Sequence, residues 1–214
     1  IAPELAKKYH VLLYDLPSHG LSERVDHGYD LETLCQDLLT LLEIKGLSKV
    51  DLVGYSFGGI ISLYTAVHHP EKIKKLAIIE SPLTGREEGE SEKDLEKYGT
   101  EFLDHYMQNY SMSTNLVPSK RQFEKNKKLF NYLLNETSLP QDLIKDKEFS
   151  SKENMNQIQH ETLLLYGDAS DCLPDGQFLS TCIPNSTFFE GIGDHNIPVQ
   201  NPGWINEKLG AFFI

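Results

Sequence analysis

Short apolar runs alternate along this chain with stretches whose apolar residues recur every three or four positions. The runs at residues 10–15 (His10-Val11-Leu12-Leu13-Tyr14-Asp15), 50–53, 73–79, 162–166 and 186–190 have the length and content of strands buried on both faces. Between them lie helical patterns. Leu31, Leu34, Cys35, Leu38, Leu41 and Leu42 form one apolar stripe, with Asp30 placed to cap its start and Gly46 to stop it. Ile60, Ile61, Leu63, Tyr64 and Val67 form another, ending near His68-His69-Pro70. A closing helix is expected from Pro202 through Trp204, Ile205, Leu209 and Phe212, and residues 5–9 read as the last turn of a further one. Strands that alternate with helices predict an α/β fold, a mostly parallel sheet with helices on both faces.

The pattern changes after Ser81-Pro82. From residue 83 to 157 the chain is polar and charged, with helical patches near 95–110, 121–135 and 139–144 and no convincing strand. This predicts an inserted helical cap at 83–157, with residues 1–82 and 158–214 forming the core. Tyr98, Phe102, Tyr106, Met107, Tyr110 and Met112 fall near helical spacing in the insertion. Packing against the core is favoured for them over lining a substrate pocket.

One stretch organises the rest. Leu52-Val53-Gly54-Tyr55-Ser56-Phe57-Gly58-Gly59-Ile60 joins a strand to a helix through Gly-x-Ser-x-Gly. A serine at so sharp a turn projects its hydroxyl above the sheet edge, and glycines at −2 and +2 let strand and helix crowd together. The Phe57 N–H then lies at a helix N-terminus, where it can stabilise a developing oxyanion. The five-residue pattern alone also fits a glycine-rich backbone turn with no chemistry.

Composition narrows the function classes. Twenty basic against 32 acidic residues give a net charge of −12, which disfavours a nucleic-acid backbone or an anionic membrane as partner. Cys35, Cys172 and Cys182 are too few and scattered for a disulfide framework, and no Cys-x-x-Cys suggests zinc. A reducing, cytoplasmic compartment is therefore expected, with no cofactor and no metal. No stretch is long and apolar enough to span a bilayer, and the start of the chain does not read as a signal peptide.

In an open parallel sheet, ligands bind beyond the carboxyl ends of the strands. Ser56, Asp171 and His195 each follow a predicted strand at that end. A serine hydroxyl needs a general base within hydrogen-bonding reach, and that base needs an acceptor on its other nitrogen. The order Ser…Asp…His, with the insertion between the first two, is the order this fold uses.

At this point the chain resembles the α/β-hydrolase superfamily, over nearly its whole length. Tyr14-Asp15-Leu16-Pro17-Ser18-His19-Gly20-Leu21-Ser22 resembles the family's D-x-P-G-x-G-x-S loop, and residues 54–58 its nucleophile elbow. Gly167-x-x-x-Asp171 resembles the acid turn, and Gly191-x-Gly-x-His195 followed by Asn201-Pro202 the histidine loop. The resemblance implies Ser56 as nucleophile, Asp171 as acid, His195 as base and the Phe57 amide as oxyanion donor. Asp168 competes with Asp171, because many relatives place the acid three residues after the glycine, where this chain has Ser170. The spacing to Asp171 matches a variant with one extra residue and is favoured, leaving Asp168 as a solvated turn residue. His10, His27, His68, His69, His105 and His160 read as surface or satisfied core positions, and His19 as ordering its own loop. Asp194 departs from the small-residue pattern before the histidine and is expected to point to solvent.

The superfamily begins with two or more strands, the last of which ends in a loop that donates a second oxyanion N–H. This chain starts after that loop, so the expectation is that it is the retained part of a longer protein. The implied activity is a serine hydrolase acting on a small-molecule carboxylic ester or acyl-thioester. Epoxide hydrolases and haloalkane dehalogenases are disfavoured by Ser56 standing where they use aspartate. Ile60 replaces the arginine that the lyase of menaquinone synthesis carries after Gly-Gly, and carbon–carbon bond hydrolases remain open. A receptor or scaffold on the same fold is the alternative from another class, and Ser56→Ala separates it from an enzyme. Oligomeric state and substrate identity have no signal here.

Overall fold

A computed structural model describes residues 1–83 and 120–214. Four strands form one parallel sheet in the order β1-β2-β3-β4: β1 is Val50–Tyr55, β2 Ile73–Ile79, β3 Thr162–Gly167 and β4 Ser186–Gly191. The helices are α1 (Ala2–Leu5), α2 (Leu31–Ile44), α3 (Phe57–His68), α4 (Lys120–Asn135), α5 (Leu139–Lys145), α6 (Lys152–Met155), α7 (Leu173–Cys182), α8 (Ile197–Gln200) and α9 (Pro202–Phe212). The expected mostly parallel sheet flanked by helices is the observed architecture. The expected patch at 95–110 and its aromatic residues lie outside the described residues, and so does His105.

The chain divides into two compact units, residues 1–12, 35–84 and 149–214 in the first and residues 13–34 and 85–148 in the second. In the first, the buried central strands explain their near-continuous apolar sequence: every residue of β3 is buried. Alternation along these strands sends side chains to opposite faces. Ala77, Ile79, Leu163 and Leu165 pack with Ile197 of α8 and with Ile205 and Leu209 of α9, while Ile1, Leu5, Trp204 and Phe212 cover the edge of that cluster. On the other face Tyr166 meets α7, where a Cβ on Gly176 would collide with its ring. The aliphatic stripe of α2 is buried as expected at Leu31, Leu34, Cys35, Leu38 and Leu42. Gly46 ends that helix at φ +66°, a conformation open to glycine at little cost.

The strand expected at residues 10–15 is not formed. Leu13 is 74% exposed and Tyr14 39%, and the segment pairs with no strand among the described residues. An apolar run becomes a strand only where a neighbour completes its ladder. Helix α7 has no clear signature in the sequence because Pro174, Asp175 and Gly176 break its apolar period.

In the second unit, polar side chains close the turns. Asp15 accepts a hydrogen bond from the Leu21 N–H (2.9 Å), and the Ser22 hydroxyl donates to the Asp15 carbonyl (2.7 Å). His19 Nδ1 lies 2.9 Å from the Pro17 carbonyl, ordering its own loop as expected. Asp30 caps α2 through the Thr33 N–H, and Asp142 and Asp146 accept from the amides of Tyr29 and Leu31.

Candidate active site

The turn between β1 and α3 places Ser56 at φ 53°, ψ −124°, a conformation that a non-glycine residue adopts only at a cost of about 1–3 kcal/mol. Its N–H donates to the Ile79 carbonyl (3.0 Å), tying the turn to the end of β2. The glycines around it do not divide their work as the sequence predicts. A Cβ on Gly54 would run into the Gly58 carbonyl and the Ser62 hydroxyl, so the −2 glycine is required for close approach. A Cβ on Gly58 would meet open space, and the second crowded position is instead Gly59, where an added Cβ would lie 2.5 Å from the Ser81 Cβ. Gly59→Ala is expected to cost about 1–3 kcal/mol through overpacking, with Gly58→Ala well below that; chemical denaturation of the two variants measures it.

His195 comes to the same point from the far end of the sheet. The loop after β4 carries it back over the strand ends, and its Nε2 lies 3.0 Å from Ser56 Oγ. The loop is tied down at each neighbouring position. Gly193 donates its N–H to Asp168 Oδ1 (3.0 Å) and accepts at its carbonyl from Ala169 (3.0 Å). Asp194 accepts from the Asn196 N–H (2.7 Å), capping its own turn, while its own N–H donates to Gln200 Oε1 (2.9 Å). Asp168, expected as a plain solvated turn residue, is thus an anchor of the histidine loop.

The imidazole's other nitrogen faces a carboxylate that sequence spacing does not single out. His195 Nδ1 lies 3.5 Å from Glu80 Oε2. Glu80 follows β2 directly, is fully buried and has φ 52°. Its carboxylate accepts hydrogen bonds from the Gly167 N–H and the Ser170 hydroxyl. Such donors replace the water that a buried carboxylate has lost. Asp171, the carboxylate expected in this place, is exposed in the turn that leads to α7. The reason is local. Ser170, at the position three residues after Gly167, turns inward with a hydroxyl and meets a carboxylate arriving from β2. Sequence does carry a signal for Glu80: a lone acid at the end of the apolar run Leu76-Ala77-Ile78-Ile79 sits where burial is expected, and buried acids require partners.

Cys172 completes the surroundings, with its Sγ 3.5 Å from His195 Nδ1. Burial, and then the nearby Glu80 and Asp175 charges, push its thiol well above the usual range, which keeps it protonated. Glu80, Cys172 and His195 are the close His/Cys/carboxylate grouping among the described residues. Of the three, Glu80 is already engaged by the Gly167 and Ser170 donors. Phe57 stands at the first position of α3, where a helix leaves its N–H without an intrahelical acceptor. Among the described residues no helix is long and apolar enough to cross a membrane.

Comparison with known proteins agrees with this fold. Residues 1–179 match the alpha/beta hydrolase fold family. The chain is 37% identical over 82 residues to the 2-hydroxymuconate semialdehyde hydrolase of Pseudomonas sp. (strain CF600), covering 38% of this chain and 29% of that protein. It is 37% identical over 81 residues to epoxide hydrolase 4 of Mus musculus, covering 37% and 23% respectively. The matched stretch thus spans under a third of either relative. Among solved structures, a serine-to-alanine mutant of the meta-cleavage product hydrolase of Pseudomonas fluorescens IP01 superposes with a TM-score of 0.78 at 20% identity, covering 99% of this chain and 82% of that one. A bromoperoxidase from Bacillus anthracis superposes with a TM-score of 0.77 at 23% identity, covering 99% and 84%. The family match, the strand–Ser56–helix turn and the parallel sheet agree: the chain belongs to the α/β-hydrolase fold family.

Proposed function

We propose that this chain carries the catalytic core of a serine hydrolase that cleaves a carboxylic ester or thioester through an acyl-enzyme. The observation that supports it most is the relay itself: Ser56 Oγ 3.0 Å from His195 Nε2, and Nδ1 of the same ring facing the buried Glu80 carboxylate. In this reading Ser56 Oγ attacks the carbonyl carbon as its proton passes to His195 Nε2. Glu80 takes the acid role in place of Asp171, orienting the ring and stabilising the imidazolium. The Phe57 N–H stabilises the oxyanion. Nε2 then returns the proton to the departing alcohol or thiol as the carbon–heteroatom bond breaks. Water, deprotonated by His195, attacks the acyl group on Ser56 and releases the acid.

A second reading, hydrolysis of a carbon–carbon bond next to a carbonyl, draws support from the names of two relatives, a semialdehyde hydrolase and a meta-cleavage product hydrolase. The same residues serve it, with a carbanion-equivalent as the leaving group. A panel of p-nitrophenyl esters, acyl-thioesters and vinylogous 1,5-diketones, run with the intact protein and with Ser56→Ala, separates the readings. Turnover of esters or thioesters that vanishes in Ser56→Ala supports the first. Turnover confined to the diketones supports the second. Binding with no turnover of any of them overturns both in favour of a receptor.

A further inference from the structure

The residue just before the nucleophile reaches across the site to the base. Tyr55 ends β1, and its hydroxyl donates to the backbone carbonyl of His195 at 2.9 Å, between residues 140 positions apart. Its ring stacks on the imidazole, with centroids 5.4 Å apart and planes 30° from parallel. Resting on the hydrolase reading above, we infer that Tyr55 is a positioning residue for His195, holding the loop through its hydroxyl and the ring plane through its aromatic face.

The histidine loop shows why such a holder matters. Asp168, Gln200 and Asn196 fix positions 193, 194 and 196 by hydrogen bonds to backbone or to Asp194. At 195 itself the carbonyl is held by Tyr55. A ring stacked on the face of the imidazole at 30° from parallel lets the two nitrogens point edgewise, Nε2 to Ser56 and Nδ1 to Glu80 and Cys172. Rotation of the ring about its own axis would break both contacts, and the stack opposes it. Tyr55 and Ser56 are consecutive, so one stretch of backbone sets the distance from nucleophile to base. The ring's negative face also favours the imidazolium that forms once His195 takes the Ser56 proton. A tyrosine that merely fills a half-exposed strand end would do none of this.

The test separates the two contacts. Tyr55→Phe keeps the ring and removes the donor; Tyr55→Leu removes both. With the intact protein and p-nitrophenyl acetate, kcat is expected to fall about 3- to 10-fold in Tyr55→Phe. In Tyr55→Leu the fall is about 10- to 100-fold, as expected for a misplaced catalytic group. KM stays within about twofold in both, and thermal unfolding within a few degrees of wild type. Fluorophosphonate labelling of Ser56 slows in the same order, and the ring resonances of His195 in a histidine-labelled NMR sample shift and broaden in Tyr55→Leu. Wild-type kcat in both variants, or a rise in KM alone, overturns the inference. Absence of labelling in the wild type would defeat the hydrolase reading instead. The NMR signature then still decides on Tyr55, because unchanged His195 resonances in Tyr55→Leu contradict a positioning role.

Discussion

Glu80→Gln is expected to lower kcat by about four orders of magnitude, with Asp171→Asn staying within about twofold, as for a surface substitution. The glutamine keeps the shape of the side chain, and its carbonyl oxygen can still accept from Gly167, while the Ser170 hydroxyl turns to accept from the NH2 that replaces the oxygen nearest His195. Its NH2 then faces His195 Nδ1, donor against donor. The imidazole responds by moving its proton to Nε2, where it can no longer accept the proton of Ser56. Binding of substrate is untouched, so the loss falls on kcat with KM nearly unchanged. Steady-state kinetics on the best ester, with thermal unfolding to confirm folding, measures this. A collapse of kcat in Asp171→Asn with activity retained in Glu80→Gln would return the acid role to Asp171.

Ser56→Ala and His195→Ala are each expected to lower kcat by about six orders of magnitude, and the double variant by hardly more. The two residues act on one proton, so removing either removes the unit. The residual rate reflects binding and the oxyanion donor alone. His195→Ala takes one neighbour from the fully buried Glu80, whose carboxylate keeps the Gly167 N–H and the Ser170 hydroxyl as donors. Rates that multiply in the double variant would mean that the two residues work independently, contrary to the 3.0 Å contact between them.

The elements that position the chemistry were legible because each is built from local signals. Val50–Tyr55 and Phe57–His68 are joined by glycines that only a close strand–helix approach demands, and the structure confirms that demand at Gly54. The loop of His195 was legible from Gly191 and Gly193, the latter at φ +153°. What was not legible depends on contacts far apart in the chain. The acid at Asp171 was inferred from its distance to Gly167, but distance along one turn cannot report that Glu80, 90 residues before Ser170, arrives at the same place. Likewise residues 10–15 have the composition of a strand, yet composition does not supply the neighbour that a ladder needs. The anchoring of Gly193 by Asp168 is a loop-to-loop contact with no periodic signal.

The most direct measurement is the reaction of the intact protein with a fluorophosphonate probe, with the modified residue located by mass spectrometry. An activated nucleophile predicts one adduct, on Ser56, which is lost in His195→Ala and strongly slowed in Glu80→Gln. A folded protein that forms no adduct, or forms it on Ser56 equally fast without His195, would contradict the account.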